Sequence, residues 1–76
     1  MADVVIQFGD ITAHLTAEQV EVMQLIAQGM TYDEIGRELG RSRRSVCYHV
    51  QAVKDKLGTD SARVALVTLE GAGVLK

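Results

Sequence analysis

A 76-residue chain with 47% hydrophobic residues, no proline and a formal net charge of −2 has apolar content for one core of three or four helices. It leaves no room for a second functional module, its composition argues against disorder, and no apolar run is long enough for a bilayer span. The single cysteine, Cys47, excludes an intramolecular disulfide frame, and its spacing from His14 and His49 excludes a zinc site built within one chain.

Residues 1–14 read as an N-terminal arm. They lack the basic start and long apolar stretch of a secretory leader, so a cytoplasmic address is expected. Within the arm, Val4-Val-Ile-Gln-Phe8 is β-favouring and partly alternating. One strand is not stable alone, so three fates remain open: lying over the core, pairing with a second copy, or fraying.

From residue 15 onward the pattern is helical. Thr16-Ala-Glu-Gln19 has the form of a capping box, and Val22, Met23, Leu25 and Ile26 follow at helical spacing until Gly29. Thr31-Tyr-Asp-Glu34 is a second capping box, opening a short helix through Ile35 to Leu39. Gly40-Arg41-Ser42 then joins it to the next helix, with glycine in the turn and serine placed as a cap. That is the local signature of a helix-turn-helix.

The third helix is expected from about Arg43 to Leu57, with two unlike faces. Val46, Val50, Val53 and Leu57 form a stripe suited to burial. Arg44, Cys47, Tyr48, Gln51 and one or both of Lys54 and Asp55 form the opposite stripe, which carries residue types that reach base edges in a major groove. A fourth helix, about Ser61 to Glu70 with Thr59 or Asp60 as its cap, is apolar nearly all round at Val64, Ala65, Leu66, Val67 and Leu69. Part of it therefore needs a partner beyond the core.

The charge is bipolar. Residues 1–36 hold six acids and no Lys or Arg, whereas residues 37–56 sum to +4 through Arg37, Arg41, Arg43, Arg44, Lys54 and Lys56 against Glu38 and Asp55. Cations at the start of a helix oppose its dipole, so the cluster at Arg41, Arg43 and Arg44 points to an anionic partner. His49 borders the core stripe and reads as a hydrogen-bonded structural residue rather than a pH sensor or catalyst. Cys47 reads as an inert small residue rather than a redox switch.

Leu15-Thr16, Glu21-Val22-Met23, Leu25-Ile26-Ala27, Gly29, Thr31, Glu34-Ile35, Leu39, Ser42, Ser45-Val46, His49-Val50, Val53, Lys56-Leu57-Gly58, Ala65-Leu66 and Gly73-Val74-Leu75 together resemble the LuxR/GerE-type helix-turn-helix, in register over about residues 15–75. The resemblance implies an all-α, four-helix domain at 15–76; the short N-terminal arm lies before the match, and an extended strand is one of its open readings. The resemblance also implies a third helix that enters the DNA major groove and a fourth that mediates dimers. Carried onto this sequence, its base-reading positions are Cys47, Tyr48 and Gln51, and Arg44 falls among its phosphate positions. With the helical wheel, the candidate base contacts are Arg44, Cys47, Tyr48 and Gln51. The phosphate candidates are Thr31, Arg41, Ser42, Arg43, Lys54 and Lys56, and the dimer candidates are Val64, Val67, Thr68 and Gly71.

Several positions depart from the family's pattern. Cys47 stands where a basic residue is usual, Arg41 where an aliphatic residue fills the turn, and Glu18-Gln19 where Arg-Glu is common. Ala62 takes the place of a usual arginine. Gly36 replaces an alanine, at an expected cost of roughly 0.5–1 kcal/mol in helix propensity.

No Gly-rich phosphate loop, metal-spaced cluster or nucleophile with a base is present, so neither an enzyme nor a cofactor is expected. Two function classes remain. One is a sequence-specific DNA-binding transcriptional regulator acting on double-stranded DNA as a homodimer. The other is a helix-turn-helix adaptor or antagonist that engages RNA polymerase or another regulator through the acidic half.

Overall fold

The computed structural model describes residues 3–8 and 10–75; Met1, Ala2, Gly9 and Lys76, which fall inside the arm and domain limits above, lie outside the described residues. Two strands, β1 (Val4–Phe8) and β2 (Ile11–Leu15), precede four helices: α1 (Ala17–Ala27), α2 (Tyr32–Leu39), α3 (Arg43–Leu57) and α4 (Ala62–Gly71). The four helices expected from the sequence are all present, and the arm is a hairpin.

β1 and β2 pair antiparallel from Val4↔Leu15 to Phe8↔Ile11. Period-two alternation turns one face of this ribbon inward, so the cross-strand pair Ile6 and Ala13 is buried while Val5, Gln7, Thr12 and His14 are exposed. Of the three fates open to the arm, it lies over the core. Its second strand was not expected, and the 14/15 boundary falls inside β2, because Leu15 is both the strand's last residue and fully buried.

Local chemistry sets the helix limits. Both capping boxes are formed: Thr16 Oγ1 accepts the Gln19 amide while Gln19 Oε1 accepts the Thr16 amide, and Thr31 and Glu34 repeat the exchange at α2. At α4 the expected cap is corrected. Ser61 accepts the Val64 amide, while Thr59 accepts the Ser61 amide and so shapes the turn before the helix.

α3 is the central beam, packing against α1, α2, α4 and β2. Its stripe of Val46, Val50, Val53 and Leu57 is buried with Val22 and Met23 of α1, Ile35 of α2, Ala65 and Leu69 of α4, and Leu75 beyond α4. Each of the larger aliphatic side chains so buried stabilises the fold by about 1.5–3 kcal/mol. α3 therefore cannot roll about its axis without exposing valines, which fixes the flank it presents to solvent.

The turn before α3 is tight. Gly40 takes the left-handed conformation (φ 66°) that ends α2, and the Arg41 amide donates to Gly36 O at 2.7 Å. A Cβ added at Gly36 would stand 2.7 Å from the Arg41 carbonyl oxygen. Gly36 is thus more than a residue of poor helix propensity: its missing side chain lets the turn close against α2.

Candidate nucleic-acid interface

The outward flank of α3 begins at its N-terminus, where Ser42 Oγ accepts the Ser45 amide and directs the first turn. That turn contains no acid, unlike the first turn of α2 with Asp33 and Glu34. Arg43 and Arg44 are exposed there. Arg43 has only a long contact with Asp33, Nε to Oδ1 at 3.9 Å, and among the described residues Arg44 has no ion pair. Two arginine side chains against the amide end of a helix, one of them unneutralised, make a local concentration of positive potential.

One turn further on, Cys47 and Tyr48 are exposed, Tyr48 to 71%. The Tyr48 ring packs edge-to-face with the His49 ring, centroids 5.9 Å apart and planes at 74°. Gln51 continues the stripe and donates through Nε2 to Asp55 Oδ1 at 2.9 Å. The four expected base contacts, Arg44, Cys47, Tyr48 and Gln51, thus stand together on one exposed flank.

The expected phosphate contacts are less uniform. Thr31 and Ser42 are exposed N-caps whose hydroxyl oxygens already accept amides; each keeps its own proton to donate. Arg41 is exposed but paired with Glu18 of α1, Nη2 to Oε1 at 2.7 Å. Lys54 is half-buried. Lys56 has an internal role that the sequence reading missed: its ammonium donates to His14 O at 2.6 Å and to Gln19 Oε1 at 3.1 Å, tying the end of α3 to β2 and α1.

Glu18 joins three segments, since its carboxylate meets Arg41 of the turn and lies 3.4 Å from His49 Nε2 of α3. His49 is held from one side only, because its Nδ1 is buried without a hydrogen-bond partner. Among the described residues the His49 side chain makes no hydrogen bond beyond this 3.4 Å approach to Glu18, so the hydrogen-bonded role expected of it is not seen. At the start of α2, the Glu34 carboxyl accepts the Thr31 amide, which together with the Thr31 hydroxyl and the nearby Arg37 charge holds its pKa below the usual value.

Comparison with known proteins places this arrangement. The sequence model of the bacterial regulatory proteins of the luxR family, GerE, matches residues 13–69. The chain belongs to the luxR family of bacterial regulatory proteins. Among solved structures, 12 chains match, including a structure of transcription factor GerE. That protein is 27% identical, with a TM-score of 0.79 over 82% of this chain and 92% of the other. Among curated proteins nothing matches significantly.

The luxR-family match starts inside β2 and ends at Leu69, so β1 and the segment that buries Leu75 lie outside it. α4 buries Ala65 and Leu69 and leaves Val64 and Val67 exposed at 50% and 63%. Thr68, half-buried, turns its hydroxyl back to Val64 O at 2.9 Å, and Gly71 faces open space. Within the family fold, then, α3 and α4 present two exposed faces of different chemistry. Among the described residues no helix is long and apolar enough to cross a membrane.

Proposed function

We propose that this luxR-family domain is a cytoplasmic, sequence-specific transcriptional regulator that places α3 in the DNA major groove as a homodimer. The observation that carries the reading is the outward flank of α3: Arg43, Arg44, Cys47, Tyr48 and Gln51 are all exposed along a helix whose other flank is locked into the core by four buried residues. Arg44, Cys47, Tyr48 and Gln51 face base edges; Thr31, Ser42, Arg41 and Arg43 face phosphates, with Lys54 and Lys56 adding charge at the far end.

α4 supplies the second half of the reading. Val64, Val67, Thr68 and Gly71 form the dimer face, and Arg63 and Glu70 stand toward opposite ends of the same helix. An antiparallel pairing of two α4 helices about a two-fold axis brings each Arg63 toward Glu70 of the second copy, so the face is self-complementary. The two α3 helices then meet half-sites spaced by ~10 base pairs or a multiple of it.

Titration against mixed duplexes at several salt concentrations tests the reading. Counterion release predicts a loss of roughly 10²-fold or more in affinity from low to moderate salt. No complex at low salt would replace it with the adaptor reading, in which the acidic half engages RNA polymerase or another regulator.

A further inference from the structure

Asp55 is the only acid in α3, and it stands where an acid is least favourable. It lies in the last turn, where the carbonyl end of the helix dipole repels an anion, and one turn beyond Gln51 on the exposed flank. On a surface turned toward phosphates its charge also opposes association. Among the described residues no Lys, Arg or His forms an ion pair with it. Its side chain has one described bond, the 2.9 Å contact in which Gln51 Nε2 donates to Oδ1.

We infer that Asp55 is a positioning residue that holds the Gln51 carboxamide in the orientation that reads adenine, an inference that rests on the DNA-binding reading above. A carboxylate offers only acceptors, so it selects the nitrogen side of the amide and decides how the terminal group is turned. The bond is charge-assisted and spans one helical turn, a separation at which side chains on a helix meet directly. With one proton given to Asp55, Gln51 keeps the other beside Oε1, a donor next to an acceptor. Adenine presents the complement in the major groove, N7 as acceptor and the N6 amine as donor, whereas guanine presents two acceptors. A carboxamide already held loses less rotational freedom on docking than a free one, so discrimination gains from the fixed orientation. The acid that weakens general attraction thereby sharpens the choice of base.

The test is selection of the full chain on randomised duplexes, followed by titration of the best site and its adenine-to-guanine variants. The wild type should prefer adenine at one position of each half-site. Asp55→Ala should lose that preference by roughly tenfold while affinity for mixed-sequence DNA holds or rises. Asp55→Asn, which keeps an acceptor and drops the charge, should retain an intermediate preference. Both variants alter an exposed side chain, and circular dichroism should show unchanged helix content. An adenine preference that survives Asp55→Ala, or a uniform fall in affinity with preference intact, overturns the positioning role and leaves DNA binding standing. Absence of any wild-type complex at low salt overturns both.

Discussion

The outward faces of α3 and α4 are alike in exposure and opposite in chemistry. α3 shows two arginines, a tyrosine and a glutamine to solvent, and α4 shows Val64 and Val67. Each helix is anchored by the same means, a stripe of apolar residues driven into one shared core. What differs is the partner each face suits. Charged and amide groups gain from phosphate and base edges and lose little in water, whereas valines gain only by meeting another apolar surface. In the proposed reading, nucleic-acid recognition and self-association therefore fall on different helices.

The largest effect should come from reversing charge on one face alone. Arg43→Glu with Arg44→Glu should lower DNA affinity by roughly 10²-fold or more, flatten the salt dependence, and leave the sedimentation profile of the free protein unchanged. Fluorescence anisotropy and analytical ultracentrifugation measure the two arms. If the paired substitution also dissociates the protein, the two faces are not independent. Neither arginine makes a close bond in the free structure, so the thermal midpoint should move little.

The converse experiment charges α4. Val64→Asp with Val67→Glu should yield monomers and weaken DNA binding at matched half-sites while leaving the binding of one half-site intact. An acid at position 64 lies in the first turn of α4, where the dipole favours it, so the fold is retained. An unchanged sedimentation profile would refute the assignment of Val64, Val67, Thr68 and Gly71 as the dimer face.

A third change attacks the geometry between α2 and α3. Gly36→Val places branched carbons where a Cβ alone would stand 2.7 Å from a backbone oxygen, so the turn must open. Unfolding in urea should register a loss of about 2–3 kcal/mol, in line with an overpacked interior site. Stability equal to wild type would mean that the turn relaxes without penalty and that Gly36 is present for another reason.

Much of this architecture was legible because its signals are local. Caps at Thr16, Thr31 and Ser42 and the spacing of Val46, Val50, Val53 and Leu57 involve residues within a turn or two of each other, and each appears in the structure as the sequence implies. The hairpin was less legible because β2 is five residues long and runs directly into the Thr16 cap, so its alternation of Ile11, Ala13 and Leu15 is easily read as a helix approach. Its one sequence signal is the Gly9-Asp10 pair between two β-favouring runs. The contacts that brace the site, Lys56 to His14 and Gln19, and Glu18 to Arg41 and His49, join residues 23 to 42 positions apart. No periodicity reports them. Gly36 was misjudged for the same reason, since helix propensity weighs a residue against its own helix and takes no account of the turn that folds back on it.

The smallest effect concerns pH and separates the start of α2 from the arginine face beside it. Bonds from Thr31 hold the Glu34 carboxyl below its ordinary pKa, so the stabilisation is present above the usual carboxylate range and is lost as pH falls through the folded-state value. Thermal midpoints measured from neutral pH down to about pH 3 should therefore fall slightly more for the wild type than for Glu34→Gln. The glutamine can still accept the Thr31 amide but cannot titrate. The difference should be small because the carboxyl is fully exposed. A wild type and variant that respond identically to acid would show that the charge on Glu34 adds nothing to the cap. The hydrogen bonds to Thr31 alone would then position the start of α2, and through it the turn that carries Arg41 and Ser42.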